Sequence, residues 1–156
     1  MKTKSEISAG GIVYKKIKNE KLVPSKSKGL KMKNVLWLVC QHSQHRGWVF
    51  PKGLVRDSDA TESIEIAAQR ETREEGGVET RIIAPLGTPV VYFYTFDKQK
   101  IKKTVYYYLM EYVSGDPKDH DWEMMDARFI SQDEVKKTLT YKTDREAFEQ
   151  ALSLLW

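Results

Sequence analysis

The run Arg70-Glu71-Thr72-Arg73-Glu74-Glu75-Gly76-Gly77-Val78 constrains this 156-residue chain more than any other segment. It ends a helix read over Thr61 to Glu75, where Ile64, Ala67 and Ala68 repeat at helical spacing and Gly76-Gly77 supplies a left-handed stop. Asp59, with Glu62 three residues on, is capping-box-like, although Asp replaces the usual Ser or Thr. On that helix Glu71, Glu74 and Glu75 stand at i, i+3 and i+4 and share one patch. Like charges so placed repel by roughly a few tenths of a kcal/mol per exposed pair, and they lie at the negative end of the helix dipole. Arg70 and Arg73 offset part of this. A hard divalent ion would offset more, and Mg²⁺ is the usual ion when phosphate oxygens complete the shell. Taken without their flanks, the glutamates read equally as a solvated helix face.

The rest of the chain reads as strands around this helix. Ser5 to Tyr14 is a strand whose Gly10-Gly11 marks a close backbone approach or a bulge. Lys15 to Lys33, with Pro24 and Gly29 and no periodic apolar pattern, reads as a long exposed loop. Val35 to Cys40 is a buried strand, and Trp48 to Gly53 is a brief extended piece ending in a turn. Val78 to Val113 returns to β pattern, with turns at Pro85, Pro89 and Asp97-Lys-Gln-Lys, and Asp126 to Ile130 is a last short strand. Ser131-x-x-Glu134 and Thr143-x-x-Glu146 read as capping boxes that open two final helices. No internal repeat or interdomain linker is present, so residues 1–156 form a single α+β domain or mixed-sheet sandwich with an insertion at 15–33.

Composition narrows the function. Apolar residues at 40% and charged residues at 31% exclude collagen-like and low-complexity chains. No apolar run reaches membrane-span length, Met1 to Glu6 lacks a signal-peptide core, and the lone Cys40 excludes an internal disulfide framework. A soluble, cytoplasmic protein without a membrane partner is the expectation. The net charge of +4 is segregated: Lys15 to Lys33 holds eight lysines and one acid, and Asp97 to Lys103 four lysines and one acid. Arg56 to Glu79 holds eight acids against three arginines, and Gly115 to Asp126 five acids against one lysine. The pattern points to an anionic partner approached through a cation.

The acidic helix, with its fixed flanks, resembles the Nudix box, G-x5-E-x7-R-E-U-x-E-E-x-G-U with U aliphatic. Glu62, Arg70, Glu71, Glu74, Glu75, Gly77 and Val78 match at the required spacing. Thr72 stands where an aliphatic is usual, and eight residues separate Gly53 from Glu62 instead of five, so Leu54 to Thr61 must bulge. Ser8 to Tyr14 is similar to the family's first strand and Trp48 to Gly53 to the turn entering the box. Lys103 to Leu109, Trp122-Glu123 with Ala127-Arg-Phe129, and Tyr141-Lys142 resemble the diadenosine tetraphosphate hydrolase branch.

The resemblance implies an α/β/α sandwich with a mixed sheet, the box helix and C-terminal helices. It implies Mg²⁺-dependent hydrolysis of phosphoanhydride bonds, with Mn²⁺ as a substitute ion and diadenosine tetraphosphate cut to ATP and AMP. Glu71, Glu74, Glu75, Glu123 and the Gly53 carbonyl would bind metal, which would polarise the phosphate chain and activate water. Arg70 would orient Glu71, Glu62 would support the loop, and Glu123 is the candidate general base from a later segment. Lys52 and Lys103 would contact phosphates, and Tyr94, Tyr107 and Tyr141 are candidates to stack on a base, with core packing the competing role for each tyrosine. A MutT-like nucleoside triphosphate pyrophosphohydrolase, an RNA 5′-pyrophosphohydrolase, an inositol pyrophosphate hydrolase and a nucleotide-sensing binding module remain alternatives. The partner is a nucleoside polyphosphate, less readily an RNA 5′ end, and the chain a monomer or homodimer. His42-x-x-His45 reads as a polar loop, and Cys40 as a small buried hydrophobe.

Overall fold

The structure is a computed structural model that describes residues 2–17, 23–24, 32–56 and 59–155. Its elements are β1 (Lys4–Lys16), β2 (Val23–Pro24), β3 (Met32–Lys33), β4 (Val35–His42), β5 (Trp48–Val49), β6 (Lys52–Leu54) and α1 (Ile64–Gly76). Then come β7 (Val78–Pro85), β8 (Val90–Phe96), β9 (Gln99–Gly115), β10 (Met124–Ser131), α2 (Gln132–Thr138) and α3 (Lys142–Leu154). Most of the lysine-rich insertion lies outside the described residues, which include only the paired β2 and β3 from its middle and end.

The main sheet runs β10-β4-β1-β9-β7, with β5 on β4, β6 on β1 and β8 on β9. Only β1 and β9 run parallel, from Lys4↔Ile101 to Tyr14↔Glu111, so the sheet is mixed. Both faces are covered. On one, α1 buries Ala67 and Ala68 against Ala9, Val13, Leu38 and Met110. On the other, α3 buries Ala147, Phe148, Ala151 and Leu152 against Ile12, Trp37, Val105 and Leu109, with Val135 of α2 beside them. This is the α/β/α sandwich expected. No helix among the described residues is long and apolar enough to cross a membrane.

One topological detail makes the site. β1 pairs with β4 only over Tyr14–Lys16, and then the two strands part. The segment 48–54 fills the gap, β5 pairing with Cys40–Gln41 and β6 with Ser8–Gly10. A Cβ on Gly10 would stand 2.2 Å from the Pro51 carbonyl, which is the close approach that the paired glycines mark.

The helix starts differ from expectation. Ser63, not Asp59, is the N-cap of α1, its Oγ accepting from the Ile66 amide at 3.2 Å. Asp59 instead accepts from the Thr61 amide and hydroxyl, and the Glu62 carboxylate is taken by Arg70. Ser131 does cap α2 in position, but its hydroxyl reaches Glu134 and not the backbone. In α3 the N-cap is Tyr141, so Thr143 already lies inside the first turn and its capping box is not made. Gly77 ends α1 at φ 76°, the left-handed conformation that the double glycine predicts.

Candidate active site

The box residues converge through Arg70. Its Nε and Nη2 donate to the two oxygens of Glu62 at 2.6 and 3.1 Å, and Nη2 also reaches the Leu54 carbonyl at 3.2 Å. Its Nη1 donates to Glu71 at 2.8 Å and to Glu74 at 3.2 Å. Glu62 in turn accepts from the Arg56 amide at 3.2 Å, tying the bulged loop to the helix. The fork geometry of arginine makes this three-carboxylate junction possible, and a lysine could not reproduce it. The pairing holds the Glu62 carboxyl below its ordinary pKa, chiefly through the Arg70 hydrogen bond.

Glu71 and Glu75 are buried, the second accepting from the Lys52 amide at 3.1 Å. Burial pushes Glu71 up to about 7 and Glu75 up to about 8, and the neighbouring carboxylates add to the shift. Glu74 is the exposed member. Glu123 joins them from the acidic segment, which is locked in place: the Asp121 amide donates to the Glu74 carbonyl at 2.8 Å, and the Ser43 hydroxyl and amide donate to the Glu123 carbonyl. Thr72 is fully buried against Gly11, where a Cβ would stand 2.6 Å from its Oγ1. Its hydroxyl donates to the Ala68 carbonyl at 2.7 Å, so a polar side chain fits where an aliphatic is usual.

Glu71, Glu74, Glu75, Glu123, Gly53 and Arg70 line one cavity of about 650 Å³. Lys52 and Lys103 line it as well, opposite in charge to the glutamates. Lys103 is partly buried, with its ammonium 3.9 Å from Glu6 and its pKa lowered by burial. Tyr94 lies above Lys103 and donates its hydroxyl to the same Glu6. Next to this cavity is a more apolar one of about 460 Å³, lined by Val49, Tyr92, Tyr141 and Asp144. The two share His45, Val49, Lys52 and Tyr92.

Of the expected base-stacking residues, Tyr141 lines the second cavity and Tyr94 the first. Tyr107 does neither. It is 2% exposed, with its ring edge-on to Phe50 and its hydroxyl on Asp144, and it offers no face to a ligand. Sequence reading missed Tyr92, Glu6 and Asp144, which carry no local signal. His42 and His45, read as a polar loop, stack at 4.2 Å on the cavity wall. Tyr141 packs edge-on to His45, joining α3 to that loop.

The carboxylates are not assembled as a ready ligand set. Among the described residues no three His, Cys, Asp or Glu side chains stand close enough to hold a metal ion, since Arg70 occupies the inner oxygens of Glu71 and Glu74. The donor chemistry nevertheless fits a hard cation. Several all-oxygen side chains face one cavity, and two are so buried that they resist ionisation without a compensating charge. A Cβ on Gly53 would lie 2.1 Å from the Glu71 carboxyl carbon, so only glycine leaves that carboxylate its place.

A sandwich in which a carboxylate helix faces a lysine-bearing wedge across an open cavity defines a class of site built for anionic, multiply charged ligands. The particular family follows from comparison: residues 29–151 match the NUDIX domain, and the chain belongs to that family. Over 108 residues it is 32% identical to MutT4 of Mycobacterium tuberculosis, covering 69% of this chain and 42% of that protein. The chain therefore spans about two fifths of that relative's length. Among solved structures it is similar to the NUDIX domain of Shewanella oneidensis NrtR complexed with ADP ribose, at TM-score 0.69 and 18% identity, covering 100% of this chain and 91% of that one. It is also similar to the C. elegans Ap4A hydrolase, at TM-score 0.64 and 21% identity, covering 97% and 99%. At such identities these two likenesses speak for the fold.

Proposed function

We propose that the chain hydrolyses a phosphoanhydride bond of a nucleoside polyphosphate, with diadenosine tetraphosphate, cut to ATP and AMP, as the first substrate to try. The observation that carries this reading is the pair of joined cavities. One is charged and suits a phosphate chain; the other is lined by tyrosines and suits a base; Lys52 and Tyr92 belong to both.

A divalent ion held by Glu71, Glu74, Glu75 and Glu123 supplies charge neutralisation for the polyphosphate. The protein's own groups do the rest. Arg70 fixes the Glu71 carboxylate, and Glu62 fixes Arg70 and the loop carrying Gly53. Lys52 and Lys103 meet phosphate oxygens as point charges, and Glu6 keeps the buried Lys103 charged. Glu123, on a loop pinned at both sides, is the residue proposed to accept a proton from the attacking water. Stacking on Tyr92 or Tyr141 would contribute about 1–3 kcal/mol per base.

A MutT-like reading, cleavage of a nucleoside triphosphate to monophosphate and pyrophosphate, is favoured by the identity to MutT4. A substrate panel with Mg²⁺ and chromatographic identification of products separates the two. ATP plus AMP from diadenosine tetraphosphate supports the first reading, and pyrophosphate release from triphosphates supports the second. Glu75→Gln is expected to lower kcat at least about 100-fold on whichever substrate is cut, within the range seen for removal of a central electrostatic group. If the wild type cleaves nothing, the enzyme reading is lost; if Glu75→Gln is fully active, the site assignment is.

A further inference from the structure

The tyrosine-lined cavity holds a buried acid that the phosphate chemistry does not use. Asp144, the third residue of α3, is 4% exposed and lines that cavity between Tyr92 and Tyr141. Tyr107 donates its hydroxyl to Asp144 Oδ1 at 3.3 Å, and among the described residues no donor is hydrogen-bonded to Oδ2. A buried carboxylate oxygen without a donor is costly, and such groups are retained where a ligand completes them. Burial raises the acid's pKa, which the charges of Lys52 and Arg145 oppose. The lysine is shared with the phosphate cavity, so the acid stands one cavity away from where the phosphate chain would lie.

The geometry points to Asp144 as a base-reading residue, an inference that rests on the site being a nucleotide cleft: its unpaired oxygen accepts a hydrogen bond from the exocyclic amino group of a purine held between Tyr92 and Tyr141, selecting adenine or guanine over hypoxanthine. Hypoxanthine has a carbonyl where adenine has an amino group and only hydrogen where guanine has one. Facing the acid, it leaves the buried oxygen unpaired or sets it against another acceptor. Sites built to hydrogen-bond a polar group discriminate strongly against analogues that lack it.

The test is equilibrium binding, which needs no turnover. Calorimetric titrations with AMP, GMP and IMP compare nucleotides that differ only at these positions. AMP or GMP is expected to bind about tenfold or more tightly than IMP, in keeping with the loss of one buried hydrogen bond. In Asp144→Asn, whose amide can donate to a carbonyl, the ratio is expected to fall below about threefold, and Asp144→Ala is expected to lose it too. Thermal unfolding of each variant checks that the fold is kept. Equal binding of the three nucleotides by wild type, or no binding of any, overturns the proposal. So does a variant that is merely less stable with its base preference unchanged, which would reduce Asp144 to a favourable charge at the start of α3. A protein that cleaves no polyphosphate yet keeps the AMP-to-IMP ratio refutes the hydrolase reading and leaves this one standing.

Discussion

Arg70 shows how one side chain can organise a site. Its three nitrogens serve three glutamates and a carbonyl, so the box is held by hydrogen bonds before any ligand arrives. The Glu62 pKa is depressed, so its contribution to stability is present in full above the unfolded carboxylate range near about 4.3 and is lost as pH falls through the lower folded value. The stability gap between wild type and Glu62→Gln, followed by urea denaturation, is therefore expected to shrink steadily from about pH 5 to pH 3. Gly53→Ala would drive a methyl into the Glu71 carboxylate, and displacement of a reacting group by about 1 Å can cost about 100-fold. That variant is expected to lose about 10- to 100-fold in kcat/KM on the identified substrate, with its melting temperature changed little. The spacing of Glu62, Arg70, Glu71, Glu74 and Glu75 made this cluster legible, because one helix presents four of the five. Asp144 and Glu6 were not legible: each meets its partners only after strands and helices far apart in the chain have packed. Tyr107 failed for a different reason. Alternation along β9 separates it from Tyr106 and Tyr108, but both faces of the sheet are covered, so parity alone cannot say which tyrosine meets solvent.

At the scale of elements, the two candidate starts of α1 give a direct comparison. Ser63 makes the backbone bond and Asp59 does not, so Ser63→Ala is expected to cost about 1 kcal/mol and Asp59→Ala about half that or less, measured by urea denaturation. A box-like spacing in sequence cannot separate them, because the winner is decided by Arg70, which claims Glu62 and leaves the Asp59 motif without its third-position partner. The same limit explains α3. Thr143 carries the right residue type, yet the chain enters the helix two residues earlier, with Tyr141 placed against His45. The helical stop was legible, since a left-handed residue at the end of α1 leaves glycine little competition.

For the whole molecule, the segregated charge becomes a geometric fact: acidic α1 and the Glu123 loop face the lysines of β6 and β9 across one cavity. Clustered buried carboxylates weaken the fold in the absence of a cation, so Mg²⁺ is expected to stabilise it. At ten times its Kd the gain is about 1.4 kcal/mol, or roughly 3–6 °C in Tm for a chain of this size. Thermal shift measurements should show it in wild type and show it lost in a Glu71→Gln, Glu75→Gln double variant. The sandwich itself was legible from the order of strand and helix patterns. The parting of β1 from β4 was not, since neither strand carries any mark of where its partner changes.

The wedge at 48–54 has a kinetic consequence. It rests on β1, and β1 is held in the sheet mainly by β9, where Lys4 meets Ile101 and Tyr14 meets Glu111. Closing so long a loop is slow relative to local pairing. During synthesis the first strand and the wedge must therefore wait, unprotected, until two thirds of the chain has been made. Pulsed hydrogen exchange during refolding would record the site and the β1–β9 ladder gaining protection in the same phase, so that no partly folded chain holds a working cleft.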